Sequence, residues 1–213
     1  PVESSKLEPD PRVTAKLEHY RREHVGIFTI VGETEAPVIR RYIEESDLGN
    51  LLADIFVDAS GADMGFVHAG SLRKDLPEGE ILLVDILDTY PFVDAIDVKE
   101  MSGARIRRVL EQSLTLERGL LQISGVEMSY DLNRPEYQRI VTLTHEGRPI
   151  VDNETYTVAA SGFLAEGGDL YDAFPESDVV ASFGKVSDAI IAYFRNHETV
   201  AIPKRGRQWQ VSD

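Results

Sequence analysis

Tyr156-Thr157-Val158-Ala159-Ala160-Ser161-Gly162-Phe163-Leu164-Ala165-Glu166-Gly167-Gly168-Asp169-Leu170-Tyr171 carries more information than any other stretch of the chain. Tyr156 to Ala160 alternates in β fashion, with Tyr156, Val158 and Ala160 on one face. The run breaks at Gly162 and again at Gly167-Gly168, with Phe163 between the breaks and Asp169 just after them. A strand that ends in a glycine-rich turn places side chains at its mouth, where ligands often bind. Glycine lets the backbone come close to a ligand, an aromatic face can stack on a flat heterocycle, and a carboxylate can accept two hydrogen bonds from neighbouring hydroxyls. Together these residues suggest a nucleoside pocket. They also read as a strand, a turn and a buried Phe, and the segment alone leaves both readings open.

Outward from this strand, Leu120 to Asp131 and Arg139 to Thr144 read as strands, and Glu146-Gly147-Arg148-Pro149 as a turn. Leu48, Leu51, Leu52, Ile55, Phe56 and Ala59 follow helical spacing, with Ser46 or Asp47 as N-cap and Gly61 as stop. Met64 to His68 is a short strand, and Ala69 to Gly79 a loop holding Arg73. Glu80 to Leu87 is apolar and fits a strand or a short helix. Ala95 to Met101 alternates as a strand. Ser102 caps a helix whose inner face is Ile106, Val109, Leu110, Ser113 and Leu114, while Arg105, Arg107 and Arg108 form a solvated face. Lys185 to Arg195 is a last helix with Val186, Ile190 and Phe194 inward, and the tail closes with Trp209. At the other end, residues 1 to 12 are a loose lead-in, Thr14 to His24 a charged helix, Val25 to Val31 a strand and Gly32 to Pro37 a turn. Strands and helices mix without strict βαβ alternation, which predicts an α+β fold with a mixed sheet and packed helices. The division expected is a lead-in and linker over 1–39, helix plus strand, and a ligand-binding domain over 40–213.

The 213 residues are enough for one sizeable domain or a tight pair, and 42% hydrophobic content is ordinary for a globular protein. No apolar run approaches the ~20 residues of a membrane span, and no signal-peptide pattern is read. Pro1 in place of Met is expected of a processed or excised chain. The net charge of −15 argues against a nucleic acid partner, which needs a basic footprint, but leaves room for a small phosphate ester. With no cysteine there is no disulfide framework and no cysteine zinc site.

Phe163-Leu164-Ala165-x-Gly167-Gly168-Asp169-x-Tyr171 resembles a signature of the C-terminal domain of 5'-nucleotidases. Three further stretches agree in the right order: Glu45-Ser46-Asp47-Leu48-Gly49-Asn50-Leu51-Leu52-Ala53-Asp54, Gly70-Ser71-Leu72-Arg73 and Tyr90-Pro91-Phe92. The resemblance covers Arg40 to Phe174. It implies a two-part enzyme, in which an N-terminal metallophosphatase domain holds two metal ions and the C-terminal domain binds the nucleotide. Such a metal pair needs a cluster of Asp, His and Asn. None of the five histidines here, His19, His24, His68, His145 and His197, sits in an Asp-x-His or Gly-Asn-His-Glu pattern. No cofactor is therefore expected in this chain, and the divalent metal pair is assigned to an N-terminal domain outside it.

The resemblance implies that Phe92 and Phe163 sandwich the base, that Asp169 binds the ribose and that Arg73 contacts phosphate or ribose. The Asn at the head of the family's Asn-x-Gly-Gly-Ile-Arg motif falls on His68. Here the motif reads His68-Ala69-Gly70-Ser71-Leu72-Arg73, so Ala69 and Ser71 replace glycines, and a second family Arg meets Tyr42. His68 also reads as a strand-end histidine, and Phe92 as core packing. The function implied is nucleotide recognition within a secreted or periplasmic phosphoesterase that releases nucleoside and phosphate. Related activities in the family include cyclic-nucleotide and UDP-sugar hydrolysis. The partners expected are a nucleotide or nucleoside and the N-terminal domain of the same protein, without nucleic acid or membrane. A non-catalytic binding or interaction module is the second reading, motivated by His68, Ala69, Ser71 and Tyr42. An acidic domain without a ligand is the third.

Overall fold

The segment around Tyr156 forms a strand at the centre of the molecule. The structure is a computed structural model that describes residues 8–211. The lead-in expected over residues 1 to 12 lies outside the described residues up to residue 7. From residue 11 the elements run α1 (Pro11–Glu23), β1 (Ile30–Thr34), α2 (Asp47–Ser60), β2 (Met64–Val67), β3 (Gly79–Leu82), α3 (Leu83–Thr89), β4 (Ala95–Ser102) and α4 (Gly103–Ser113). There follow β5 (Gln122–Ser124), β6 (Glu127–Tyr130), β7 (Ile140–His145), β8 (Arg148–Pro149), β9 (Thr155–Ser161), α5 (Gly162–Ala165), β10 (Val179–Lys185), α6 (Val186–Asn196) and β11 (Gln208–Gln210). The fold is α+β, as the mixing of strands and helices predicts.

A five-stranded sheet, in the order β10-β4-β9-β2-β5, divides the interior. β2 and β9 run parallel, and the other pairs are antiparallel. Side chains alternate across a strand, so each central strand feeds two cores. On β9, Val158 and Ala160 enter one core and Ala159 the other; on β2, Met64 and Phe66 oppose Val67 in the same way. One core is closed by α2, α3 and α6, with Leu51, Phe56, Ile86 and Phe194 fully buried. The other is closed by α4 and by a four-stranded sheet, β11-β6-β7-β8, through Ile106, Leu110, Met128 and Leu143.

The helix caps follow the sequence. Ser46 Oγ accepts from Gly49 N at 3.0 Å, and Gly61 ends α2 in the left-handed region at φ 69°. Ser102 Oγ accepts from Arg105 N at the start of α4. Glu80 to Leu87 is neither one strand nor one helix: β3 passes directly into α3, where Asp85 accepts from Leu82 N at 3.1 Å.

Three local expectations are corrected. Val25–Phe28 is a 3-10 turn, and the strand begins only at Ile30. Gly32 lies within β1, opposite Ile81, because Phe194 of α6 leaves no room for a side chain: a Cβ would fall 2.9 Å from its ring. Leu120 to Asp131 is two strands, β5 and β6, broken at Gly125 (φ 74°), where a Cβ would fall 2.0 Å from the Asp63 carbonyl oxygen. Arg105 and Arg108, on the solvated face of α4, pair with Glu176 and Asp172 at 3.0 and 3.1 Å.

Candidate functional site

β9 ends at Ser161, whose hydroxyl caps the short helix α5 by accepting from Leu164 N at 3.4 Å. The break at Gly162 is thus a helix start, and it presents Phe163 outward, 43% exposed. Gly167 then turns the chain at φ 86°, and Gly168 lies against the Phe163 ring, where a Cβ would meet ring carbons at 2.5 Å. Asp169 follows at φ 53°, ψ 35°, and Leu170 at φ 70°. Asp tolerates this left-handed region and Leu does not, so the turn stores backbone strain next to the carboxylate.

Two other elements end beside this turn. β2 delivers His68, followed by a 3-10 turn at Ala69–Ser71. Ala69 and Ser71 are buried there; Gly70 is the position that must lack a side chain, since a Cβ would fall 2.6 Å from the His68 ring. Leu72 is buried, Arg73 N donates to Thr89 O at 2.9 Å, and the exposed Arg73 guanidinium donates to Gly70 O at 3.1 Å. After α3, Tyr90 is buried and organises the next segment: its ring meets Phe92 edge-on at 5.5 Å, and its hydroxyl donates to Asp94 Oδ2 at 3.1 Å. Burial, reinforced by the Asp94 charge, pushes the Tyr90 hydroxyl well above the usual phenol range, so it stays a donor. Phe92 is 40% exposed, which removes it from the core.

These side chains line one cleft of about 280 Å³. Phe92, Phe163, Asp169, Arg73 and His68, the five residues singled out from sequence, all reach it. So do Tyr42, which the resemblance sets opposite a second family Arg, and Asp94, which sequence reasoning does not place there. Asp94 stands two residues from Phe92 and lines the same cleft, while Val93 between them is 82% exposed. Tyr42 is held by Gly119, whose missing side chain leaves room for the Tyr42 ring, and by Leu120 N donating to Tyr42 O at 2.8 Å.

His68 is only 4% exposed. Its Nε2 stands 3.1 Å from Asp169 Oδ2, but the carboxylate is off the ring's hydrogen-bond axis and Nε2 has no aligned partner. Burial holds the His68 pKa below the ordinary imidazole value; the Asp169 charge and the backbone of Arg118 oppose that, while the Arg118 charge adds to it. Burial thereby disfavours the charged ring. Among the described residues no group of three or more His, Cys, Asp or Glu side chains is placed to hold a metal ion.

The Gly49-Asn50 pair lies away from this cleft and packs the fold. Asn50 is buried and donates to Glu45 Oε1 at 2.7 Å, and Gly49 makes room for the side chain of Gln122.

The family described as "5'-nucleotidase, C-terminal domain" matches residues 29–176. Trifunctional nucleotide phosphoesterase protein YfkN of Bacillus subtilis is 29% identical over 184 residues, covering 80% of this chain and 12% of that protein. Cell wall protein Lmo0130 of Listeria monocytogenes is 29% identical over 230 residues, covering 94% of this chain and 29% of that protein. Among solved structures, a 5'-nucleotidase precursor from Thermus thermophilus superposes with a TM-score of 0.85 at 22% identity, covering 96% of this chain and 44% of that one. The chain spans less than half the length of each of these proteins. With a match over most of its length and the same fold, the chain belongs to the 5'-nucleotidase C-terminal domain family.

Proposed function

We propose that this chain is the nucleotide-recognition half of a metal-dependent 5'-nucleotidase-like phosphoesterase that hydrolyses nucleotides to nucleoside and phosphate. The observation that carries the reading is that two half-exposed rings, Phe92 and Phe163, share one cleft with a carboxylate, Asp169, and a guanidinium, Arg73. Each ring offers a stacking face worth ~1–3 kcal/mol per base. Asp169 accepts from ribose hydroxyls, and Arg73 donates to phosphate or ribose with charge assistance. The described residues do not fit a metal pair, so the chain's part is to bind and orient the nucleotide. The hydrolytic metals and their domain belong to a longer parent. Relatives such as the Listeria cell wall protein support a place outside the cytoplasm.

Calorimetry with purine and pyrimidine nucleotides tests the reading. Nucleotide binding by the chain is expected, with strong loss on Phe163→Ala or Phe92→Ala, and without metal-dependent hydrolysis when manganese, zinc or cobalt is added. Binding indifferent to both rings, or robust turnover by the purified chain, would overturn it. A binding module without catalytic duty is the second reading, favoured by Tyr42 standing where the family carries a second Arg. A parent sequence without an Asp, His and Asn metal cluster would select it.

A further inference from the structure

The turn that presents Asp169 is held from outside the cleft. Asp169 (φ 53°) and Leu170 (φ 70°) both sit in the left-handed region, and such backbone persists only where the surrounding structure over-determines it. On one side the turn continues α5. On the other, residues 171–178 return to β10 outside any helix or strand, so no ladder supplies donors for their carbonyls. Side chains from β4 and α4 supply them instead. Lys99 of β4 is 4% exposed, and its Nζ donates to Phe174 O at 3.0 Å and to Ser177 O at 2.7 Å. Arg105 of α4 donates to Glu176 O at 2.7 Å and to Ser177 Oγ at 2.8 Å. Arg108 reaches Asp172 Oδ2 at 3.1 Å, three residues past Asp169. That last pair is half exposed and contributes little, so the hold falls on Lys99 and Arg105. A buried ammonium is costly unless hydrogen bonds compensate it, and here the compensating acceptors are the loop's own carbonyls.

We propose that Lys99, together with Arg105, is a positioning residue for Asp169: the two cations clamp residues 174–177, and the clamped segment holds the strained turn in the conformation that aims the carboxylate into the cleft. The proposal rests on the nucleotide reading above and adds to it two residues that do not touch the ligand, since neither lines the cleft. The route from clamp to carboxylate is a chain of contacts. Pro175, inside the clamped segment, lies against Gly167, where a Cβ would fall 2.7 Å from Pro175 Cγ. Gly167 is the left-handed residue that starts the turn, two positions before Asp169. On either side of the turn's exit, Tyr171 and Phe174 are fully buried and meet edge-on at 6.4 Å, and the Tyr171 ring meets His68 edge-on at 6.1 Å. Releasing the carbonyls of Phe174 and Ser177 frees Pro175. The turn then loses its backing and relaxes away from φ 53° and 70°. Methionine at position 99 would fill the space of the lysine stem and hold neither carbonyl.

The test is calorimetry of the chain with adenosine and adenosine 5'-monophosphate, paired with amide hydrogen exchange of the unliganded chain. Lys99→Met is expected to keep the fold by circular dichroism and to weaken both ligands about ten-fold, the loss of one good hydrogen bond to the sugar they share. Exchange over residues 167–172 should quicken, while that of β9 and α4 stays as in the wild type. The deciding readout is a double-mutant cycle with Asp169→Ala. A residue that acts through Asp169 then has nothing left to position, so Lys99→Met on that background should cost less than about two-fold. If Lys99→Met fails to fold, Arg105→Ala, at a side chain 28% exposed, carries the same cycle with a smaller loss. Losses that simply multiply, or a lowered melting temperature with unchanged affinity, would make the clamp merely structural and overturn the proposal. If both clamp variants bind like the wild type but Phe163→Ala abolishes binding, the clamp fails and the nucleotide reading stands. If no nucleotide binds the wild type, the nucleotide reading fails and takes the positioning role with it.

Discussion

Gly168 lies directly against the ring of Phe163, so close that a Cβ at Gly168 would fall 2.5 Å from two ring carbons. The second glycine of the pair is thus a seat for the aromatic ring, whereas the first makes the left-handed turn. Gly168→Ala should push the half-exposed ring aside, which costs the fold little because the ring can swing into solvent. The same movement removes one stacking face. Thermal stability is expected to change by under about 1 kcal/mol, and nucleotide affinity to fall by about 1–3 kcal/mol. Equal affinity in the variant would show that Phe163 does not stack on the ligand.

Asp169 and Arg73 approach the cleft from distant parts of the sequence and should read different parts of the ligand. Asp169→Ala is expected to weaken nucleoside and nucleotide alike, by about 1–3 kcal/mol, the size of a hydrogen bond to a charged group. Arg73→Ala should weaken the nucleotide more than the nucleoside. Equal loss of both ligands in Arg73→Ala would reassign that guanidinium to the sugar. If neither substitution affected a chain that binds, both residues would leave the site.

Much of this architecture is readable along the chain where the cause is local. The alternation in β9, the caps at Ser46 and Ser102 and the helical spacing in α2, α4 and α6 each follow from neighbours a few residues away. What escapes the sequence is set by distant partners. Gly32 is a strand residue because Phe194 presses on it, and β5 separates from β6 because the Asp63 carbonyl approaches Gly125. Trp209 closes the tail by pairing β11 in parallel with β6, a partner no local pattern names. The cleft divides the same way. Phe163 and Asp169 share one strand and turn and can be read together. Arg73, Phe92 and His68 come from other segments and were reached only through the family resemblance. Asp94 and Tyr42 complete the lining through contacts to Tyr90 and Gly119 that only the three-dimensional arrangement reveals.

Gly49 should prove a packing residue, although it belongs to a stretch the family shares. The fully buried Gln122 side chain crosses it, so that a Cβ on Gly49 would fall 2.2 Å from Gln122 Cγ. Gln122 Oε1 accepts from Ser46 N and Ser46 Oγ at 2.7 and 3.0 Å, and Nε2 donates to the carbonyls of Glu44 and Leu120 at 3.1 and 2.9 Å. Gly49→Ala is expected to destabilise by about 1–3 kcal/mol through overpacking. Gln122→Ala should cost a similar amount, about 1–3 kcal/mol, by leaving buried polar groups unpaired. Combined, the two should cost less than their sum, because the cavity left at Gln122 accepts the methyl group. Strict additivity in denaturant melts would refute the contact.

Acid should destabilise the fold through His68. Burial sets the pKa of the folded ring below the ordinary imidazole value of about 6.5. Above that ordinary value the ring is neutral in the folded and unfolded chains alike, and folding carries no proton penalty. As the pH falls below it, the unfolded chain takes up a proton that the folded chain still refuses, so the unfolded state gains. The loss grows until the pH passes through the depressed folded-state pKa, where the buried ring protonates as well. Asp169 and the backbone of Arg118 limit the effect, since both favour the protonated ring. His68→Asn removes the titrating group while keeping a polar side chain at the end of β2. Urea midpoints for wild type and variant, measured from about pH 8 down to about pH 4.5, separate this ring from the many surface carboxylates both proteins share. The variant should gain on the wild type steadily as the pH drops below about 6.5. A difference between the two that stays constant with pH would mean that His68 is protonated equally in both states, and that the imidazole is not held neutral beside Asp169.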